Sequence, residues 1–351
     1  MSSRFFLIPL ALLMTLAGCA TAKKKNLELR LPAIQILGDA ELDRLNDEEL
    51  FAKGASYFAA KDYQQAVRYF NRIVDFFPQS SHRAAALYNA GLAHEQLNQW
   101  SEALVRFSAL SNPKGFKDAL DAAFRVAEAE YHLDKFQDAI ELLTLIVDRT
   151  DLPGGKRIEA QVQKGICQVE ANQLEQAEDT LRKALQSYHL LQDPEEVEDY
   201  FPAQAQFFLG EIYRLHYESI RLDPSRGTDQ LAKDLEYKSE LLLSAQGHYL
   251  RAIRMGNNYW STASGTQVGS MYQNLYQHMI EAPVPPELDA EEGAIYRQEL
   301  KKKIRVLLSK AISVYERTLE AAERLKSSGP FIERARESLK KMKDLLVAES
   351  E

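Results

Sequence analysis

Pairs of small residues recur along this sequence at a constant separation. In each pair, the two residues lie on two consecutive predicted helices. The separation is 12 positions in all four pairs: Gly54 and Ala66, Gly91 and Ala103, Ala127 and Ala139, and Gly165 and Ala177. A small residue on each of two antiparallel helices allows their backbones to approach closely. Recurrence of this contact predicts an array of helical hairpins, in which each unit packs mainly against its neighbours.

Larger residues accompany the small pairs at matching places. They are Tyr57, Phe70 and Pro78 in the first unit, Trp100 and Phe107 in the second, and Phe136 in the third. This combination resembles the tetratricopeptide repeat (TPR), although Glu130 and Gln168 stand where that repeat prefers tyrosine. The resemblance implies an all-α fold, a TPR-like α-solenoid of helix-turn-helix repeats, with four units in residues 47–192.

Two further units carry the same signatures with their halves far apart. The small residue that pairs with Gly210 is Ala245, 35 positions later, and Gly269 pairs with Ala311, 42 positions later. Apolar residues continue at helical intervals through both insertions, and Leu222 is the last one expected to prolong the first helix. We therefore predict two elongated helical hairpins in residues 203–326 rather than long loops.

The C-terminal part predicts a cap and carries a second resemblance. Residues 328–347, with Pro330 near the start, have the pattern of one amphipathic helix that closes the array with a polar outer face. Asp289 and Glu292 have the spacing of a helix-capping box. With its Pro-Pro pair and tyrosine-rich helix, the region 255–347 resembles TPR proteins of deltaproteobacterial envelope machineries, including the lipoprotein of the gliding-motility complex.

The N-terminus has the features of a secretion signal. Arg4 precedes an apolar run, residues 5–16, which is too short to span a bilayer as a stable helix. The run ends in Leu-Ala-Gly-Cys at residues 16–19, which resembles the lipobox of bacterial lipoproteins. The resemblance implies that residues 1–18 are a signal peptide, removed before Cys19.

The same resemblance implies a lipid anchor and a location. Cys19 would be the first residue of the mature chain and would carry acyl chains such as palmitate, which hold the protein at a membrane. In lipoproteins an aspartate after this cysteine favours the inner membrane, and here Ala20 follows it. We expect an outer-membrane lipoprotein on the periplasmic face, with residues 19–46 as lipidated N-terminus and tether.

Composition and motif content point away from catalysis and nucleic acid. The net charge is -8 with no large basic block, which argues against a nucleic-acid partner. No HExxH, CxxC, GxGxxG or GxSxG motif and no P-loop occurs, and the seven histidines are scattered. His216 and His248 lie on paired helices without a third ligand. We predict no enzyme activity, no catalytic residue, no cofactor, no metal and no small-molecule substrate.

Aromatic residues mark a candidate surface for a protein partner. One residue after the first packing position of each unit's first helix, the sequence has Phe51, Tyr88, Phe124, Val162 and Phe207. Phe58 and Tyr131, seven residues after Phe51 and Phe124, extend the same helix face. These aromatic rings either form a hydrophobic stripe that binds an extended peptide or a partner helix, or pack between neighbouring helices.

Together these features predict a lipid-anchored, non-enzymatic scaffold for protein partners in an outer-membrane or cell-envelope complex, with gliding-motility machinery as one such complex. Two rival interpretations are a lipoprotein subunit of β-barrel assembly, which has compact TPR units, and a pilotin for a secretin. A third is an enzyme, or an enzyme-regulating subunit, that acts on the cell wall. The lack of a clustered nucleophile or metal set disfavours the third.

Overall fold

The computed structural model describes residues 39–110, 119–191 and 197–348, and every regular element in these ranges is helical, which confirms the all-α prediction. The signal peptide and Cys19 lie outside the described residues. The helices are α1 (Asp47–Ala59), α2 (Tyr63–Phe76), α3 (Arg83–Gln96), α4 (Trp100–Ser108), α5 (Ala119–His132), α6 (Phe136–Val147), α7 (Gly154–Glu170), α8 (Leu174–His189), α9 (Tyr200–Ser219), α10 (Thr228–Arg254), α11 (Asn258–Glu281), α12 (Ala290–Arg324) and α13 (Pro330–Ala348). Short 3-10 helices lie at Leu42–Arg44 and Pro224–Arg226.

The chain divides into two compact units, one up to Ala139 and one from Ile140 onward. In the first unit, α1 to α5 pack in chain order, each against the next. In the second, α7 pairs with α8, α9 with α10, and α11 with α12, while α13 packs on α11 and α12. Consecutive helices are therefore neighbours within each unit, as a repeat array requires.

The small residues of the repeat receive a large side chain from the opposite helix. A Cβ atom added at Gly54 would lie 2.7 Å from Cε1 of Phe70, which follows the paired Ala66 by one helical turn. The same contact recurs between Gly91 and Phe107, Gly165 and Leu181, Gly210 and Tyr249, and Gly269 and Tyr315. The two long units thus use the same packing contact as the short ones, so their displaced halves do belong together.

The elongated hairpins are confirmed, with one difference at a helix end. Helices α10 and α12 have 27 and 35 residues, whereas α2 has 14. Asp289 and Glu292 form the predicted capping box at the start of α12. Leu222 does not prolong α9, which ends at Ser219. The reason lies in the following Asp-Pro pair, since the residue before a proline disfavours helical backbone.

A buried lysine fixes the end of α9 against α10. Lys238 is fully buried, and its Nζ donates hydrogen bonds to the carbonyl oxygens of Tyr217 and Ile220, at 2.7 and 2.9 Å. The ammonium group also lies 3.8 Å from the centre of the Tyr217 ring. Burial lowers the pKa of Lys238 to about 8. The last carbonyl groups of α9 thereby find a charged donor, which a helix end buried in protein needs.

The end of the predicted tether is part of the fold. Residues 39–45, here called the N-terminal strap, pack against α2, and Leu42 is buried there. Asp39 accepts a hydrogen bond from Arg68 at 2.6 Å, and Asp43 forms a largely buried ion pair with Arg72. The tether expected at 19–46 therefore ends before residue 39, because charged and apolar contacts hold the strap on the first hairpin.

Candidate protein-binding site

The first unit presents a face formed by the first helices of its hairpins, here called the α1–α3–α5 face. On α1, the half-buried Phe51 stacks on His82, which precedes α3, with ring centroids 4.9 Å apart. Its other neighbour is Phe70, at 5.7 Å. Phe51 is therefore held in place on two sides while part of its ring stays accessible.

Two more candidates keep accessible rings on this face. Tyr88 of α3 is half-buried and meets the ring of Phe107 edge-on at 5.7 Å. Burial raises the pKa of the Tyr88 hydroxyl, against the opposing effect of Arg125 nearby. Phe58, near the end of α1, is half-buried and meets Tyr63 edge-on at 5.3 Å. Phe51, Phe58 and Tyr88 therefore each keep part of their surface exposed among the described residues.

The other three aromatic candidates are packed rather than accessible. Phe124 and Tyr131 of α5 are each only 3% exposed. Phe207 of α9 is 5% exposed, because Trp260 lies 4.9 Å and Phe331 of α13 lies 6.2 Å from its ring. The interpretation of these three as lining an open groove is therefore replaced by the alternative, packing between helices. Phe207 is covered by the chain's own C-terminal helix.

An ionic cluster that the sequence did not predict lies beside Tyr88. Nη1 of Arg125 on α5 donates to Glu95 of α3 at 3.3 Å and to Glu128 at 3.0 Å. Both carboxylates are more than nine-tenths buried, while the Arg125 side chain is 20% exposed. Burial, and then the neighbouring Glu128, raises the pKa of Glu95 to about 8, against the effect of Arg125. Two carboxylates thus share one guanidinium on the α1–α3–α5 face.

The sequence carried only a faint signal for this cluster. Glu95 and Arg125 are 30 positions apart and form no motif. Each lies on a helix that also carries buried apolar residues. Charged residues on such a helix are usually solvated, so neither was expected to be buried. Their contact arises because equivalent helices of neighbouring hairpins pack side by side, which brings together residues about one repeat apart.

The second compact unit, from Ile140 onward, has a polar network centred on α9, the first helix of an elongated hairpin, rather than an aromatic stripe. Glu211 of α9 accepts hydrogen bonds from Tyr249 at 2.5 Å and from Gln267 at 2.6 Å, and it pairs with Arg214 at 2.8 Å. Nearby, Nδ1 of His248 lies 3.0 Å from Oε1 of Gln206. The Glu211 carboxylate is paired with Arg214 and hydrogen-bonded by residues of α10 and α11. The network therefore fixes α9 against these two helices.

His248, on the helix paired with that of His216, is buried. Burial, with added repulsion from Arg251 and Arg182, lowers the pKa of His248 to about 4.

Within residues 39–110, 119–191 and 197–348, no group of three or more potential ligands could hold a metal ion. In the same ranges, no helix combines the length and apolarity needed to cross a membrane.

Comparison with known sequences identifies the hairpins. A tetratricopeptide repeat family model matches residues 50–80 and 159–188, which contain parts of α1–α2 and α7–α8. The two matched hairpins are tetratricopeptide repeats, so the chain contains repeats of this family. Arrays of such repeats present extended surfaces to protein partners. A TPR fold therefore suggests a scaffold for protein–protein interaction. A search of curated proteins gives no match.

Solved structures of low sequence identity resemble this chain. The apo form of RapI is 11% identical and covers 87% of this chain and 98% of its own, with a TM-score of 0.47. A tetratricopeptide repeat protein from Parabacteroides merdae is 15% identical, covers 84% and 98%, and has a TM-score of 0.39. The MamA RS-1 ArsTM double mutant is 17% identical, covers 56% and 95%, and has a TM-score of 0.38. These likenesses carry no argument about function.

Proposed function

We propose that this protein is a lipid-anchored scaffold of a cell-envelope complex, and that its α1–α3–α5 face binds a protein partner. The observation that carries the proposal is the pair Phe51 and Tyr88. Both rings are held by packing against neighbouring rings and remain partly exposed. Rigid aromatic anchors of this kind contribute strongly to protein interfaces. The ionic cluster beside Tyr88 adds polar groups that can give specificity.

We further propose an anchor at Cys19 in the outer membrane, with the TPR units on the periplasmic side. Support comes from the lipobox-like residues 16–19 and from Ala20. Because the strap is bound to α2, only residues 20–38 connect the anchor to the fold. A fully extended chain of that length reaches about 65 Å. The partner would therefore be held within a limited distance of the membrane.

Within this class, the resemblance of residues 255–347 favours gliding-motility or a related envelope machinery. The elongated hairpins α9–α10 and α11–α12 depart from the compact units of the β-barrel assembly lipoprotein, which makes that role the weaker candidate. No observation in the described residues favours a secretin pilotin or a cell-wall enzyme. The identity of the captured partner decides among these processes.

The decisive experiment is site-specific photo-cross-linking in intact cells. A photoreactive phenylalanine analogue replaces Tyr88, and a matched control replaces Val105 of α4, which is 64% exposed. We expect one cross-linked protein at position 88 that is absent at position 105 and is reduced by Phe51→Ser. Capture of a motility component, a barrel-assembly protein or a secretin selects the process. Equal capture at both positions would contradict binding at the α1–α3–α5 face.

The anchor has its own test. Cys19→Ala should move the protein from the membrane fraction to the soluble periplasmic fraction, because acylation requires the thiol. Circular dichroism of the released protein should show unchanged helicity. Retention of the variant in the outer-membrane fraction would contradict lipid anchoring, and it would leave the binding face to be judged by the cross-linking result.

A further inference from the structure

The chain segment that precedes the strap does not have the composition of a flexible linker. Residues 27–37 read Leu-Glu-Leu-Arg-Leu-Pro-Ala-Ile-Gln-Ile-Leu, and they lie outside the described residues. Over the first five positions, leucines alternate with Glu28 and Arg30, which is the period of an extended chain with one apolar side. Flexible linkers are instead rich in glycine, serine or charged residues. In water this segment would leave apolar side chains exposed, so a surface that covers it is expected.

The direction of the strap indicates where this segment joins the fold. Asp39 accepts a hydrogen bond from Arg68 of α2 at 2.6 Å. Asp43 pairs with Arg72, one helical turn further along α2. The strap therefore runs in the same direction as α2, and the chain before Asp39 approaches from the side where α2 begins. A three-residue turn joins that side to the end of α1, where Phe58 lies. The segment thus joins the fold near the Phe58 end of the α1–α3–α5 face.

Residues 27–37 are long enough to cover the three partly exposed rings of this face. Phe51 precedes Phe58 by seven residues on α1, a distance of about 10 Å along the helix axis. Tyr88 lies on α3, the first helix of the next hairpin, and packed helices lie about 8–10 Å apart. Eleven extended residues span about 36 Å. The apolar side of the segment therefore matches a row of rings that extends over about 20 Å.

We propose that residues 27–37 bind the α1–α3–α5 face of their own chain, with leucine and isoleucine side chains against Phe51, Phe58 and Tyr88, and that a protein partner displaces them. The inference rests on the proposed function, because the displacing partner is the one assigned to this face. While the segment is bound, only residues 20–26 connect the anchor to the fold, a reach of about 25 Å in place of about 65 Å. Partner binding would free the segment and let the scaffold move farther from the membrane.

The test asks whether the face accepts this segment from solution once the chain's own copy is disabled. The protein is the mature chain with Cys19→Ala, made without residues 1–18, so that no lipid is attached. Leu29→Asp combined with Ile34→Asp, here called the segment variant, places charges among the apolar side chains of the segment and changes no residue of the described fold. A fluorescein-labelled peptide of residues 26–38 is titrated with each protein, and fluorescence anisotropy gives the dissociation constants.

We expect the segment variant to bind the peptide with a dissociation constant below about 0.1 mM, ten times under the effective concentration of about 1 mM that a short connection gives a tethered segment. The parent chain should then bind the peptide at least about tenfold more weakly, because its own segment occupies the face. Glu28→Ala combined with Arg30→Ala is the matched control, since it changes only the polar side of the segment, and it should behave as the parent does.

Two outcomes would overturn the proposal. One is equal binding of the peptide by the parent chain and the segment variant. The other is weaker binding to the segment variant than the expected limit, and this includes a peptide that binds vesicles of phosphatidylethanolamine and phosphatidylglycerol but not the protein. That result would assign the segment to the membrane surface instead.

Further substitutions in the segment variant assign the peptide to the face. Tyr88→Ser should weaken peptide binding about tenfold, because a partly exposed aromatic anchor is lost. Val105→Ser, at an exposed position of α4, should leave binding unchanged. If circular dichroism shows that Tyr88→Ser loses helicity, Phe51→Ser repeats the test at a second ring. Equal binding by the ring variant and by Val105→Ser would refute binding at this face.

The outcome can be separated from that of the proposed function. Equal capture of a partner at position 88 by the parent chain and the segment variant in cells, together with equal peptide binding, would reject self-binding while the scaffold role stands. Peptide binding that depends on Tyr88, without any cross-linked protein in cells, would reject the scaffold role on this face while self-binding stands.

Discussion

Two equivalent tyrosines in the elongated hairpins offer a matched test of what holds these hairpins together. Tyr249 and Tyr315 are both fully buried, and each ring fills the recess above a glycine, with Cε1 2.6 Å from a Cβ built at Gly210 or Gly269. Their hydroxyl groups differ in partner. Tyr249 donates to the carboxylate of Glu211, whereas Tyr315 donates to an amide oxygen at 3.1 Å.

Replacing each tyrosine with phenylalanine removes the hydroxyl and keeps the ring. A hydrogen bond to a charged group contributes about 1.5–3 kcal/mol, and one between neutral groups contributes about 0.5–1.5 kcal/mol. Tyr249→Phe should therefore lower the free energy of unfolding by roughly 1 kcal/mol more than Tyr315→Phe. Glu211 keeps its contacts with Gln267 and Arg214, so the larger loss reflects only the missing phenol donor.

Urea unfolding followed by circular dichroism measures both variants beside the parent chain. Hydrogen exchange should place the Tyr249→Phe effect in α9 and α10, and the Tyr315→Phe effect in α11 and α12. Equal losses, or a larger loss for Tyr315→Phe, would refute the argument that partner charge sets the difference. An effect of neither substitution would show that ring packing alone stabilises these contacts.

Three further predictions concern other contacts. The pKa of Glu95 is higher in the folded chain than in the unfolded chain, so stability should fall as pH rises from about 4.5 to 8. Glu95→Gln should remove that loss and be more stable than the parent at pH 9, as measured by urea unfolding; a parallel pH dependence in the variant would contradict this. Gly210→Ala should destabilise by about 1–3 kcal/mol through overpacking. Gly247→Ala on α10, where an added Cβ would meet only the Arg251 guanidinium at 3.8 Å, should stabilise by about 0.5–1 kcal/mol; thermal unfolding that moves both in one direction would refute the contact argument. Arg72→Ala should remove the largely buried ion pair with Asp43 and loosen the strap. Rapid trypsin cleavage after Arg44 would report the release, and unchanged resistance would show that the other strap contacts, Leu42 and the Asp39–Arg68 pair among them, hold the strap without Arg72.

The sequence by itself determined the class and much of the architecture. Helical periodicity predicted elongated hairpins, and the recurring small residues predicted the pairing of Gly210 with the helix that carries Tyr249. These features depend on contacts between consecutive helices. The residues that make such contacts stand at regular spacings along each helix, so the sequence of a single chain was sufficient to predict them.

Only the tertiary structure decided which residues of the predicted stripe remain accessible. Phe51 and Phe207 occupy equivalent positions, yet Phe51 is half-buried whereas Phe207 is covered by Trp260 and Phe331. Their difference arises from the helices that happen to pack over each one, and helical periodicity is the same in both cases.

The strap and the ionic cluster likewise became visible only in three dimensions. Asp43 meets Arg72, and Glu95 meets Arg125, across 29 and 30 positions of sequence. A charged side chain looks the same in a sequence whether it is solvated or buried beside a partner. Its role depends on how much water the neighbouring helices exclude, and that is a property of the packed chain rather than of any local pattern.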